Sequence, residues 1–341
     1  MKIKVAILGG SGYTAAECIQ LLLRHPQAEI VAVTSRQGEK EATPLVSDLH
    51  PRFAKRIDLR CQPFDAGQLK EQGVQCAFGC LPHGVSMATI PQLMAAGIRV
   101  IDLSADYRLR SAKVYAEWYK HEHTDQGNLA KAVYGLPEVY GDQLKNALLI
   151  ANPGCYPQTG ILGLAPLVAN NLIETRNIII DSKSGVSGGG RTPSLTFHFP
   201  ECNESVAAYG VGTHRHTPEI EQTLSDLAKE PVEVIFTPHL IPMDRGIFTT
   251  IYAVPTKTVG QTELLALYRR YYEKATFVRV VDRLPATKDT VNTNYLDVTV
   301  RVVRGRIIVL ACEDNLIRGA SGVAVQNFNR MYGFEETLGL V

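Results

Sequence analysis

The opening segment constrains the fold more than any other part of the chain. Residues 3–8 form a nearly continuous apolar run, and Gly9-Gly10-Ser11-Gly12-Tyr13-Thr14 follows it at once. A helical pattern then occupies residues 15–25, with Ile19, Leu22 and Leu23 on one face and Pro26 as its stop. A second apolar strand spans residues 29–35. Strand, glycine turn, helix and strand with short links predict parallel strands buried on both faces. The same rhythm continues through expected strands at residues 76–81 and 99–103, a helix at 85–96 between them, and a strand at 147–151.

The pattern changes near Asn152. A helix is expected over residues 156–170 and a strand over 177–182, followed by a Gly/Ser-rich loop at 185–192 and an irregular stretch to Thr217. Longer strands come next, at 232–240 and 247–254. Residues 295–303 and 306–310 read as an antiparallel hairpin turning at Arg304-Gly305. Helices are expected at 262–275 and 319–331. The chain therefore reads as α/β: a Rossmann-type parallel-sheet domain over residues 1–151, then an α+β domain with a mixed or antiparallel sheet over 152–312. A length of 341 residues leaves room for both.

Composition narrows the partners. Lys plus Arg number 35 and Asp plus Glu 34, a formal net charge of +1, so no overall field draws the chain to nucleic acid or an anionic membrane. No apolar run reaches the roughly 18 residues of a spanning helix. The seven cysteines are scattered without metal-type pairing, which points to free thiols in a reducing cytoplasm and to no metal.

The glycine turn after the first strand suits a dinucleotide, because backbone N–H groups at the helix start can approach a pyrophosphate. Gly9, Ser11, Gly12, Tyr13 and Thr14 are the candidate contacts. At the end of the second strand, where NAD enzymes usually carry a carboxylate for the ribose, this chain has Ser35-Arg36. Serine and arginine can hold a 2′-phosphate, so NADP(H) is expected over NAD.

Cys155 differs from the other six cysteines. Asn152-Pro153-Gly154 makes a sharp turn after a strand and places Cys155 at a helix start, where the helix dipole favours a thiolate. A nucleophilic cysteine needs a proton shuttle. His214 and His216, in His214-Arg215-His216-Thr217-Pro218-Glu219, are the candidates, with Glu219 near enough in sequence to orient an imidazole. Thr217 and Pro218 read as the N-cap and first residue of the following helix. The loop Ser184 to Arg191 combines small residues and exposed backbone N–H groups with an arginine and suits an anion such as phosphate. A thiolate, a dinucleotide site and an anion loop together suggest attack on an acyl phosphate.

These segments, in order along nearly the whole chain, resemble the N-acetyl-γ-glutamyl-phosphate reductases of arginine biosynthesis, within the aspartate-semialdehyde dehydrogenase superfamily. Further matching segments are Asp102-Leu103-Ser104-Ala105-Asp106-Tyr107-Arg108, Tyr134-Gly135-Leu136-Pro137-Glu138, Thr237-Pro238-His239-Leu240 and Asp314-Asn315-Leu316 with Gly319-Ala320-Ser321-Gly322. The resemblance implies a glyceraldehyde-3-phosphate dehydrogenase-like fold in which residues 313–341 pack back on the first domain. It implies NADPH-dependent reduction of an acyl phosphate through a Cys155 thioester, with His216 as acid/base and His214 as its competitor. Asn315 and Gly319 would lie near the nicotinamide. Arg108, Ser184, Gly185, Ser187 and Gly188 would contact phosphate or substrate carboxylate. It also implies a homodimer or homotetramer, with the second domain's sheet as the contact surface. Ala15 stands where the family loop has a third glycine, and Gln158 where the family has threonine. Aspartate-semialdehyde dehydrogenase and the lysine-pathway relatives are the rival enzymes, and an NADP-binding regulator is the rival without catalysis.

Overall fold

The computed structural model describes residues 2–35 and 43–341. The chain divides into two units, Met1–Pro153 with Ala320–Val341, and Gly154–Gly319.

The first unit is built on seven strands: β1 (Ile3–Leu8), β2 (Ala28–Thr34), β3 (Cys61–Gln62), β4 (Cys76–Gly79), β5 (Arg99–Asp102), β6 (Val133–Tyr134) and β7 (Leu149–Ala151). Their order is β3-β2-β1-β4-β5-β7-β6, and every pair is parallel. Parallel strands need helical crossovers, which is why their residues are apolar on both faces. Ala6, Leu8, Ala77, Val100 and Leu149 are buried in one layer against Ile90 and Leu93 of the helix Ser86–Ala95. The strand order reverses between β1 and β4, so a crevice at their carboxyl ends is the ligand position expected of such a sheet.

The second unit carries a mixed sheet of β8 (Ile178–Ser184), β9 (Ala207–Ala208), β10 (Val234–Leu240), β11 (Ile247–Ala253), β12 (Val278–Val280), β13 (Leu296–Val303) and β14 (Arg306–Glu313). The order is β12-β13-β14-β11-β8-β10-β9. Strands β8 and β10 pair in parallel, as do β12 and β13, and the other pairs are antiparallel. The helix Cys155–Val168 covers one face. Its small residues permit close approach: a Cβ on Gly163 would lie 2.7 Å from Ile251 Cδ1. A buried hydroxyl chain adds direction to this packing. Thr159 Oγ1 lies 2.7 Å from Thr249 Oγ1, which lies 2.8 Å from Ser182 Oγ. On the other face, Ile235, Ile179 and Tyr252 stand in one row across β10, β8 and β11 and are exposed.

Several boundaries differ from the sequence reading. The second hairpin strand runs on to Glu313, and the short strands β3, β6, β9 and β12 were not expected. The closing helix is regular over Gly322–Tyr332, and a π-helical turn, Ile317–Ser321, precedes it. The Gly/Ser loop contains a tight turn, Val186–Gly189. Among the described residues, no helix is long and apolar enough to cross a membrane.

Candidate active site

The glycine turn closes between β1 and the helix Tyr13–Leu22, which has Gly12 as its N-cap. Gly9 has φ +76, and a Cβ there would lie 2.3 Å from the Cys80 carbonyl oxygen. A Cβ on Gly10 would lie 2.4 Å from Val33 Cγ1. Only glycine lets the loop lie this close to the sheet. No side chain caps the helix, so its first N–H groups suit a pyrophosphate, and the residues present fit a dinucleotide. His50 braces the turn through a 2.8 Å contact between Nε2 and the Gly10 carbonyl oxygen. Ser35 follows β2 and is buried, with its N–H on the Gln62 carbonyl. Arg36 lies outside the described residues.

Arg108 is buried in the first unit. Its Nε donates to the Asn152 carbonyl at 2.8 Å and Nη2 donates to the Leu103 carbonyl at 3.0 Å. The guanidinium thus braces the peptide that leads out of β7. Asp102 organises the preceding turn, accepting from Ser86 Oγ at 2.8 Å and Ser104 Oγ at 2.7 Å. Burial pushes its carboxyl up to about 6.

In the second unit, Cys155 is the first residue of its helix and Gly154 the N-cap, with no side-chain cap. The chain is extended at Gly154 (φ −70, ψ 157) and turns sharply into the helix. Glu219 is buried, and its Oε1 accepts a 2.7 Å hydrogen bond from the Gly154 N–H. An imidazole partner was the expectation for this carboxylate; this bond, which the sequence did not foresee, ties it to the turn that presents Cys155.

The two histidines have different settings. His214 packs edge-on against Tyr156, Tyr209 and Phe236, at centroid distances of 5.6, 5.4 and 5.2 Å. Its Nδ1 accepts from the His216 N–H at 3.1 Å. Burial, reinforced by the Arg215 charge, lowers its pKa to about 4. His216 is itself the N-cap of the helix Thr217–Ala228, one residue earlier than the sequence suggested, and Pro218 occupies the first turn. Its ring lies 4.8 Å from that of His214 and 5.9 Å from that of Tyr156.

The Gly/Ser loop is more self-contained than expected. The N–H groups of Gly185, Val186, Ser187 and Gly188 bond to the carbonyls of Gly246, Met243, Asp244 and Gly185. The open cradle of amides anticipated there is therefore filled by the protein's own backbone. Ser187 Oγ donates to the Asp244 carbonyl at 2.6 Å, and Ser184 Oγ to the Gly185 carbonyl at 3.0 Å. Asn315 locks the loop. Its Oδ1 accepts from the Gly246 N–H at 2.7 Å, and its Nδ2 donates to Ser187 Oγ at 3.0 Å.

Gly319 packs directly on the cysteine. A Cβ built on it would lie 2.8 Å from Cys155 Cβ and 2.9 Å from Glu313 Oε1. Gln158 supports this contact from inside the cysteine helix, donating from Nε2 to the Arg318 carbonyl at 2.9 Å. The sequence reading missed Tyr156, Tyr209 and Glu313. Tyr156 OH and Tyr209 OH lie 2.9 Å apart beside the histidines. Tyr156 adjoins Cys155 in sequence and was open to discovery, whereas nothing in the strand pattern of β14 marks Glu313.

Comparisons with known proteins agree with this layout. Residues 4–147 match the semialdehyde dehydrogenase NAD binding domain, and residues 155–315 match the semialdehyde dehydrogenase dimerisation domain. The fold is shared with aspartate semialdehyde dehydrogenase II of Vibrio cholerae, solved with ASA (TM-score 0.72, 16% identity, 97% of this chain and 98% of that one). It is shared also with the Candida albicans aspartate semialdehyde dehydrogenase solved with NADP (TM-score 0.71, 16% identity, 97% and 98% covered). The chain is thus of the semialdehyde dehydrogenase class, a dinucleotide domain joined to a dimerisation domain that begins at the cysteine. Within that class its full-length relatives are more particular. It is 48% identical to the N-acetyl-gamma-glutamyl-phosphate reductase of Rhodopirellula baltica, over 99% of this chain and 98% of the relative, and 48% identical, with the same coverage, to that of Desulforudis audaxviator. The chain belongs to the N-acetyl-gamma-glutamyl-phosphate reductase family.

Proposed function

We propose that this protein reduces N-acetyl-γ-glutamyl phosphate to N-acetylglutamate 5-semialdehyde and phosphate at the expense of NADPH, as a step of arginine biosynthesis. The observation that carries the reading is Cys155 at an uncapped helix start, held by Glu219 and lined by Gly319.

In this reading the Cys155 thiolate attacks the acyl carbon of the substrate. The first N–H groups of the helix Cys155–Val168 face the developing oxyanion, each such donor being worth about 3–4 kcal/mol. Phosphate leaves, and a thioester remains on Cys155. Gly9, Ser11, Gly12, Tyr13 and Thr14, with Ser35 and Arg36 toward the 2′-phosphate, would hold NADPH, whose chemistry when bound would be donation of hydride. His216 gives and takes the proton as the thiohemiacetal forms and collapses to aldehyde. His214 is suited to a different task, because its Nδ1 is engaged and its pKa is low. As a neutral ring it fixes the backbone of His216. Asn315 and Gly319 shape the reaction space beside Cys155. Ser184, Gly185, Ser187 and Gly188 form a rigid loop whose serine hydroxyls already donate to the Gly185 and Asp244 carbonyls.

The protein works as a homodimer or homotetramer in the cytoplasm, where its thiols stay reduced. Support for self-association comes from the match to a dimerisation domain and from the exposed apolar row Ile235, Ile179 and Tyr252, at 58%, 41% and 41% exposure. A second copy of the same sheet is the partner that fits this row.

The test is NADP- and phosphate-dependent oxidation of N-acetylglutamate semialdehyde, compared with aspartate semialdehyde. Wild type should turn over the acetylated substrate, and Cys155→Ser should lose nearly all activity while still binding NADPH. Near-normal activity of Cys155→Ser would end the covalent mechanism, and preference for aspartate semialdehyde would end the substrate assignment.

A further inference from the structure

Gln158 lies on the helix Cys155–Val168, three residues after the cysteine, so the two side chains leave the same side of its first turn. Gln158 is fully buried. Burying an amide is costly unless its polar atoms are paired. Here one half is paired and the other is not. Nε2 donates to the Arg318 carbonyl at 2.9 Å, and Oε1 has no hydrogen-bond partner among the described residues. An apolar side chain of similar length would fill the space without that cost. The bond to Arg318 is therefore what this residue supplies.

Its acceptor occupies a particular place. The Arg318 carbonyl and the Gly319 N–H are the two polar ends of one planar peptide unit. The N–H donates to the Asp314 carbonyl at 2.8 Å, and the carbonyl accepts from Gln158. The unit is thus held at both ends. It lies in the π-helical turn that starts at Ile317, where the regular helical ladder is interrupted and a side-chain donor can take a carbonyl. Glycine has no Cβ to limit rotation of the adjoining peptide, so these two bonds supply the restraint. The effect reaches the cysteine directly. The Cβ position on Gly319 is 2.8 Å from Cys155 Cβ, so rotation of this peptide alters the wall against which the cysteine side chain rests.

We propose that Gln158 is a positioning residue for the reaction at Cys155: it fixes the Arg318–Gly319 peptide and so keeps Gly319 closed against the cysteine. The proposal rests on Cys155 being the nucleophile. It gives a task to the residue at which this chain departs from the family pattern. Threonine, expected there, has no donor that far from the backbone. One turn of helix carries both the thiol and the brace for the wall that faces it. Without the donor, the peptide pivots on its remaining bond to Asp314. Displacing a reacting group by about 1 Å can cost about 100-fold in rate, and a partial shift of this wall should cost about tenfold.

The experiment pairs kinetics with reagent size, on the full-length protein. Gln158→Met keeps the length and the burial and removes the donor. In NADP- and phosphate-dependent oxidation of N-acetylglutamate semialdehyde, kcat should fall about tenfold while both KM values stay within about twofold of wild type. Alkylation of Cys155 is followed by peptide mass spectrometry with compact iodoacetamide and with bulky N-phenylmaleimide. The ratio of maleimide to iodoacetamide rates should rise about tenfold in Gln158→Met, because the wall is released; a change in thiol ionisation moves both rates together. Gly319→Ala tests the coupling. Its cost in kcat should be more than about tenfold alone and less than about threefold when added to Gln158→Met, since a freed peptide can yield to the methyl group. Circular dichroism and the melting temperature establish that each variant is folded, and Gln158→Thr takes the place of Gln158→Met if that variant does not fold. An unchanged reagent ratio in the folded variant overturns the proposal, whatever kcat does. An equal cost of Gly319→Ala in both backgrounds overturns it too, as does a raised KM with unchanged kcat, which would assign Gln158 to binding. With Cys155→Ser inactive, an unmoved ratio removes only this inference. An active Cys155→Ser removes the nucleophile reading itself.

Discussion

Glu219 Oε1 accepts the backbone N–H of Gly154 at 2.7 Å, one residue before Cys155. A side chain from the helix Thr217–Ala228 thereby fixes the turn in front of Cys155. Because Glu219 is buried, removing it leaves that N–H without this acceptor, at a cost of about 1–3 kcal/mol. Glu219→Ala should therefore lower the melting temperature and kcat together. Glu219→Gln, which keeps an oxygen acceptor, should retain most of the stability. Equal stability of the two variants would show that the bond does not hold the turn.

The two histidines have separable roles. His214 titrates near 6.5 when unfolded and at about 4 in the folded protein, chiefly because of burial. Between these values the unfolded chain holds the extra proton. This group's contribution is complete above pH 6.5 and is lost as pH falls toward 4. His214→Phe should flatten that part of the stability profile in denaturant titrations. His216→Asn should cost about 100-fold to 10,000-fold in kcat. A larger kinetic loss in His214→Asn would exchange the two roles.

Gly319 has no room for a methyl group. Gly319→Ala would place a carbon 2.8 Å from Cys155 Cβ and 2.9 Å from Glu313 Oε1, so one of them must move. Such overpacking costs about 1–3 kcal/mol. The expected signature is a kcat reduced more than tenfold with a modest fall in melting temperature. Unchanged kcat would mean that the cysteine tolerates displacement.

Ser35 and Arg36 are the residues proposed to select NADPH, and Ser35 is fixed at the end of β2 through the Gln62 carbonyl. Arg36→Glu should weaken NADPH binding far more than NADH binding, measured by fluorescence titration of each. Equal effects would remove Arg36 from the 2′-phosphate site.

Much of this architecture was legible because hydrophobic periodicity is a strong signal. The run of residues 3–8 is β1, and Gly9 adopts the positive φ that its place after that strand demanded. Cys155 was legible for a similar reason, since Asn152-Pro153-Gly154 permits little except a turn into a helix. The partners of these residues were not legible. Glu219 was legible only through its sequence proximity to the histidines, whereas its bond to Gly154 spans the fold. The loop at Ser184 to Gly188 read as open amides, yet its carbonyl partners come from Met243, Asp244 and Gly246. Gln158, noted as a departure from the family pattern, turned out to hold the Arg318 carbonyl, a contact with no local signal.

The contact between Cys155 and Gly319 joins the two ends of the second unit. Ribosomal synthesis delivers the cysteine long before it delivers the glycine. The walls around the thiol are therefore completed late, after the whole mixed sheet has emerged. Loop closure over so long a separation makes this contact slow to form compared with the local turns on either side of it. A truncated or stalled chain would carry the cysteine without its finished pocket, so the surroundings of the thiol arrive with the last part of the fold rather than with the cysteine itself.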